Sequence, residues 1–194
     1  TEISGTLPDR YRYRYRDEDG TEIYFLTKEG SSSFEDEVGR GLELTHTPGA
    51  TYPYTITFKD GTKKKYNYDG YLCQIEYTDG KTTTITLSNN LPTQVTDYAN
   101  RTATFTYSSG RLTQLNLTGG RTVSYEYDSG GRLSKIHHYD GLDSEYTYDP
   151  VNRLSSVYNE SLRLGILYNG SNQLESLYEQ PKAGGEWHYV LWAE

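Results

Sequence analysis

The adjacent histidines His137 and His138 are the first residues whose type suggests chemistry, since imidazole nitrogens bind zinc and move protons near neutral pH. Neighbours along a strand point to opposite faces, so the pair cannot grip one ion. No cysteine or histidine stands nearby at ligand spacing, and His46 and His188 are isolated. The acidic triplets Asp17-Glu18-Asp19 and Glu35-Asp36-Glu37 lack the loop spacing of a calcium site and read as solvated turn charges. Cys73 is the single cysteine, which excludes an internal disulfide, and nothing in the sequence sets a base beside it. A nucleophile elbow G-x-S-x-G, a phosphate loop G-x-x-x-x-G-K-[ST] and a dinucleotide fingerprint G-x-G-x-x-G are all missing. The expectation is a protein without metal, without cofactor and without an active site.

Two further groups of residues would bind rather than react. Lys63-Lys64-Lys65 and the alternation Tyr11-Arg12-Tyr13-Arg14-Tyr15-Arg16 concentrate positive charge. The net charge of −8 opposes a phosphate backbone, so no nucleic-acid partner is expected and the charges read as guards on outward strand faces. Aromatic rings are the second group, with 21 tyrosines and the tryptophans Trp187 and Trp192. Rows of exposed rings stack on sugar rings, which makes a glycan the candidate ligand class and Trp187 and Trp192 the candidate stacking residues. The competing reading is that the tyrosines are the core, because large side chains on one sheet face normally bury against something.

The elements that carry these residues are written as a repeat. Tyr107-Ser-Ser-Gly110-Arg111-Leu112 leads to Leu115, and Tyr127-Asp128-Ser-Gly-Gly131-Arg132-Leu133 leads to Ile136. Tyr148-Asp149-Pro-Val-Asn152-Arg153-Leu154 leads to Val157, and Tyr168-Asn169-Gly-Ser-Asn-Gln173-Leu174 leads to Leu177. The tyrosines lie 20, 21 and 20 residues apart, the signature of a repeat array. A shortened copy after Tyr68 opens at Asp69-Gly70 and continues to Leu72 and Ile75. Cys73 stands where other copies carry Thr113, Ser134 or Ser155, so it reads as a packing position.

Each period has a second turn midway, such as Asp140-Gly141 or Gly119-Gly120, so each period is one β-hairpin. Alternation such as Val123-Tyr125-Tyr127 against Ser124 and Glu126 predicts an antiparallel sheet with one dry face. The Leu and its aliphatic partner are three apart, which predicts a bulge between them. Gly131 and Asn152 are expected to take a left-handed conformation, Asp128 and Asp149 to cap their turns, and Arg111, Arg132 and Arg153 to stack as a ladder on tyrosine rings. Asp19-Gly20 is expected to form a two-residue type I′ turn, Ser31–Gly41 a loop, and Pro181–Gly185 a turn.

The phrase Tyr-Asp-x-x-Gly-Arg-Leu, complete from Tyr127 to Leu133, resembles the YD repeat of the Rhs family of bacterial surface and secreted proteins, which includes wall-associated proteins and polymorphic toxins. The resemblance implies a cell-surface or extracellular location, repeats that wind into a shell around a cargo domain, and a capacity to bind carbohydrate. The expected fold is all-β: an array of hairpins in one long twisted antiparallel sheet, curled into an arc or partial barrel. Residues 1–53 read as degenerate hairpins of that sheet, 54–179 as the repeat array, and 180–194 as a terminal strand cut from a longer array. The absence of methionine is read in the same way, as the mark of a piece whose main partner is the rest of its own polypeptide. Cut sheet edges would favour a homo-oligomer. No apolar run of about 18 residues is present, so no membrane insertion is expected.

Overall fold

The computed structural model describes residues 11–27, 33–181 and 188–192. Among these residues every regular element is a strand. The chain divides into two compact units, residues 1–103 and 104–194. The first carries β1 (Tyr11–Arg16), β2 (Glu22–Thr27), β3 (Ser33–Asp36), β4 (Glu43–His46), β5 (Tyr54–Thr57), β6 (Lys63–Tyr66), β7 (Leu72–Glu76), β8 (Thr82–Ser88) and β9 (Leu91–Thr96). Strand β10 (Thr102–Ser108) spans the boundary. The second carries β11 (Arg111–Leu117), β12 (Arg121–Tyr127), β13 (Leu133–His137), β14 (Asp143–Tyr148), β15 (Leu154–Tyr158), β16 (Leu162–Tyr168), β17 (Leu174–Pro181) and β18 (His188–Trp192). From β1 to β9, and again from β11 to β18, each strand pairs antiparallel with the next, so the fold is the expected all-β array of hairpins.

The first unit holds a compact core. Tyr13, Ile23, Phe25, Leu42, Leu44, Ile56 and Tyr66 form one buried cluster, and Phe25 has no exposed surface. In a flat meander β1 and β5 would lie about 19 Å apart, four steps of about 4.8 Å. The rings of Tyr13 and Tyr54 are instead 5.6 Å apart, and Tyr15 lies 6.3 Å from Tyr66. The sheet of this unit therefore curls until its first strand faces its fifth and sixth. The tyrosine–arginine alternation sets the direction: Tyr13 points into the core, while Arg14 and Arg16 stay exposed and pair with Glu22. A bulge at Arg12, between the pairs Tyr11↔Leu26 and Tyr13↔Phe25, interrupts the alternation.

The second unit is built differently. None of its described hydrophobic side chains is buried, and its buried residues are Ser156 and Ser176. Tyr125, Tyr127, Leu133, Ile136, Tyr146 and Tyr148 are each half-buried. The dry face expected from the alternation is thus only half dry here, because nothing among the described residues forms a second layer over it.

Three local expectations also change. Asp19-Gly20 is not a type I′ turn: Gly20 N–H donates to Asp17 O, Asp17 N–H donates to Thr21 O, and of these residues only Gly20 has positive φ, at +87°. This is a type I turn closed by a left-handed residue, a three-residue loop. The two-residue form with both φ positive occurs at Asn89-Asn90, Ser109-Gly110 and Gly119-Gly120. The segment expected as a loop contains β3, whose backbone pairs with β2 and β4 on either side. At its end the buried Asp36 carboxylate accepts the N–H groups of Arg40 and Leu42 at 2.7 and 2.8 Å. Pro181 ends β17 opposite Leu162 rather than starting a turn, and residues 182–185 lie outside the described part.

The bulge expected between a repeat Leu and its partner is present at Leu72, Leu133, Leu154 and Leu174. Tyr127 pairs with Leu133 and Glu126 with Lys135, which leaves Ser134 as the extra residue. The same slip sets aside Ser155, Glu175 and, in the first unit, Cys73. It returns Leu133 and Ile136 to one face, opposite Tyr127 and Tyr125.

Candidate functional site

The feature that recurs with chemical regularity is the turn edge of the second unit. At Asp128–Arg132 the chain reverses through Gly131 N–H to Asp128 O and Asp128 N–H to Arg132 O, both at 2.9 Å. Gly131 has φ +77°, and Asn152 and Asn172 take φ +71° and +63° at the same position of the next two turns. Glycine and asparagine tolerate this region, which is why the repeat alternates between them. Asp128 Oδ1 accepts the N–H groups of Gly130 and Arg132 at 2.9 Å, and Oδ2 accepts Arg132 Nε at 2.7 Å. Asp149 does the same for Val151 and Arg153. The bonds to Arg132 hold the Asp128 carboxyl below its ordinary range. Burial works against Asp149, yet its bonds from the Arg153 N–H and guanidinium prevail and lower it too.

Each turn is tied to the next repeat. Arg111, Arg132 and Arg153 lie over the rings of Tyr127, Tyr148 and Tyr168 at 5.8, 4.6 and 4.4 Å. Beyond the ring, Arg111 Nε donates to Gly131 O at 3.0 Å, Arg132 to Asn152 Oδ1 at 2.6 Å and Arg153 to Asn172 Oδ1 at 2.7 Å. In the other direction the hydroxyls of Tyr127, Tyr148 and Tyr168 donate to the carbonyls of Leu112, Leu133 and Leu154 at 2.7, 2.8 and 3.0 Å. Arginine points forward and tyrosine points back. At the last turn Gln173 replaces arginine, and its side chain meets Asn169 within the same turn. Tyr148→Phe keeps the ring under Arg132 and removes only the hydroxyl bond. It should lower stability by about 0.5–1.5 kcal/mol in urea unfolding; an unchanged midpoint would show that the hydroxyl couples nothing.

The remaining candidates separate by their surroundings. Tyr107 carries no Tyr-Asp turn: its loop is the two-residue Ser109-Gly110, and its copy joins the pattern through Arg111 and Leu112. Tyr68 is exposed and its hydroxyl accepts Gly49 N–H, while Leu72 is half-buried against the core of the first unit. Cys73 is a buried bulge residue whose thiol donates to Tyr71 O at 3.4 Å and is pushed up by burial, the wrong direction for a nucleophile. His138 bonds to Ser144 Oγ at 3.0 Å, whereas His137 meets Asp143 and Glu126, so the two point apart. Trp187 lies outside the described residues, as does the side chain of Trp192 on β18.

Two features escaped the sequence reading. Asp97-x-x-Asn100-Arg101 reproduces Asp149-x-x-Asn152-Arg153, with Asn100 at φ +59° and Arg101 Nε donating to Asp97 Oδ2 at 2.7 Å. Thr96 stands in place of the tyrosine, and the turn falls outside the 20-residue rhythm. The second is a cavity of about 500 Å³ in the first unit, lined by Tyr13, Tyr15, Tyr54, Tyr66, Tyr68 and Asp69 among others. Burial, with Tyr15 beside it, drives the Tyr66 hydroxyl far above its ordinary pKa, so it stays a neutral phenol.

Residues 108–142 match the model of the family described as RHS Repeat. No curated protein matches the sequence. Over 92% of its length the chain is similar to crystal structures of TcdB2-TccC3-Cdc42 and of TcdB2-TccC3 without its hypervariable C-terminal region, with TM-scores of 0.56 and 0.57 and 14% identity in each case. The chain spans 12% of the length of each of those chains. At that identity the likeness is one of fold.

Proposed function

We propose that this chain, an array of YD/RHS repeats, is a non-enzymatic wall segment of a larger secreted or cell-surface polypeptide, a length of shell or stalk. The observation that supports this most is the ladder: Arg132, Arg153, Tyr148 and Tyr168 are consumed in holding the neighbouring repeat, which leaves these recurring residues no free chemistry. The regular array of residues 54–179, flanked by the hairpins of 1–53 and the strand of 180–194, would then act through its continuity rather than through one centre. The same reading makes the rest of the polypeptide the principal partner. No described helix is long and apolar enough to cross a membrane. The test is protease protection in the full-length protein: Arg132→Ala with Arg153→Ala should speed cleavage of any domain the wall shields, with strand content unchanged by circular dichroism. An unchanged cleavage rate would remove the wall function.

A second reading is favoured by one observation, the ring-lined cavity of the first unit. Five tyrosines and the Asp69 carboxylate offer flat apolar faces beside hydrogen-bonding groups, the chemistry that holds a sugar ring. As a cell-wall glycan site it would replace the Trp187 and Trp192 pair as the place to look. Calorimetry against soluble peptidoglycan fragments decides it. Saturable heat abolished by Tyr68→Ala supports the site, and no heat at millimolar sugar ends it.

A further inference from the structure

We propose that Glu126, His137 and Asp143 form a pH-responsive clasp across β12, β13 and β14, closed when the imidazole carries both protons and loosened when it loses one. The argument is one of donors and acceptors. His137 Nδ1 lies 2.8 Å from Asp143 Oδ1, and Nε2 lies 2.9 Å from Glu126 Oε1. Ionised carboxylates only accept hydrogen bonds, so both contacts are satisfied only if both ring nitrogens donate. A neutral ring has a single N–H, and its other nitrogen would then turn a lone pair toward a carboxylate. Each strand supplies one member, so the imidazolium ties the central strand to both neighbours.

The surroundings favour the charged ring. On the same face Lys135 is shared between Asp143 Oδ2 at 2.9 Å and Glu145 Oε1 at 3.0 Å. Ser124 and Asp143 pair directly across from His137, and Gln114 on β11 pairs with Ser124. Beyond Glu145 the same cross-strand row continues to Tyr158 on β15 and Arg163 on β16. The three acidic groups around the ring, Glu126, Asp143 and Glu145, outnumber Lys135, so an imidazolium offsets a local excess of negative charge. Glu126 and Asp143 accordingly raise the pKa of His137 above its ordinary 6.5. Lys135 and His137 lower that of Asp143.

The sign follows from these directions. A histidine whose folded pKa is raised contributes stability fully present below its unfolded pKa and lost as pH rises through the folded value. The depressed Asp143 contributes stability present above its unfolded pKa and lost as pH falls through its folded value. The clasp is therefore closed in a mildly acidic window and opens on the alkaline side. The neighbouring His138 has no such arrangement: its Nε2 meets the Ser144 hydroxyl, which can accept from a protonated nitrogen or donate to an unprotonated one.

The test is a histidine side-chain NMR titration of the whole chain from pH 4 to 9. His137 should titrate above 6.5, with both ring nitrogens protonated below its midpoint, and E126Q with D143N should return it to the ordinary value. Melting temperature should fall between pH 6 and pH 8 in the native sequence, and that fall should vanish in H137Q. A midpoint for His137 at or below 6.5 overturns the proposal, as does a pH slope that survives H137Q. E126Q alone, which keeps the histidine, should retain part of both effects; a full slope and an unshifted midpoint in E126Q would also count against the clasp.

Discussion

Phe25→Ala should lower the free energy of unfolding by about 3–5 kcal/mol, the largest loss from any single truncation among the described residues. The ring has no exposed surface and sits in the cluster that also buries Ile23, Leu44 and Ile56. Removing it leaves a cavity that the curl of β1 over β5 and β6 cannot close without breaking the Tyr13 contacts to Phe34 and Tyr54, at 4.8 and 5.6 Å. The contrast that gives the prediction its meaning is Ile136→Ala in the second unit. Ile136 is half-buried, so about half its transfer free energy is at stake, roughly 1–2 kcal/mol. Urea unfolding of both variants, followed by circular dichroism, measures the difference. Equal losses would mean that the stability of the chain is spread evenly and that the buried cluster has no special weight.

The second large effect is expected at one backbone position. Gly131→Val should cost about 2–3 kcal/mol, while Gly131→Asn should cost under about 1 kcal/mol. At φ +77° an L side chain carries a penalty of about 1–2 kcal/mol, worst when branched at Cβ. A Cβ there would also run into the Arg111 guanidinium, which must swing away and give up its bond to Gly131 O. Asparagine meets the same crowding but has a way out. At Asn152 the preceding arginine, Arg132, bonds the side-chain oxygen instead, so the amide can take over the role of the carbonyl. Thermal unfolding of the two variants separates the cases: a similar loss for Asn and Val would show that crowding, not backbone conformation, decides what the turn accepts.

Much of this fold was legible because the repeat is written in local turn chemistry. Asp or Asn, then Gly or Asn three residues on, then Arg, specifies a capped turn from within five residues, and the bulge followed from an odd spacing that a flat strand cannot satisfy. What depended on register was not legible. Asp19-Gly20 suits either a two- or a three-residue loop, and the choice falls to how β1 aligns with β2. Strand β3 reads as polar loop because its backbone, paired on both sides, forms it, with only Phe34 as a large apolar side chain. The alternation of β1 turned Tyr13 inward, but its meeting with Tyr54 needed the curl of six strands. Strand geometry separated His137 from His138, yet Glu126 and Asp143 became its partners only through pairings 11 and 6 residues away. The half-dry face of the second unit was missed for a related reason, since alternation shows which side is apolar and not whether anything lies over it.

The forward reach of each arginine and the backward reach of each tyrosine give the second unit a direction. A ribosome delivers the chain in that same direction, at about 5–20 residues per second, so one period of some 20 residues takes roughly one to four seconds to emerge. A hairpin forms in about 1–10 μs. Each new hairpin therefore arrives with the acceptors of its predecessor already in place, the Leu112, Leu133 or Leu154 carbonyl awaiting the next tyrosine hydroxyl. Assembly can keep pace with translation one period at a time, and a growing array needs to expose only its newest, undocked hairpin.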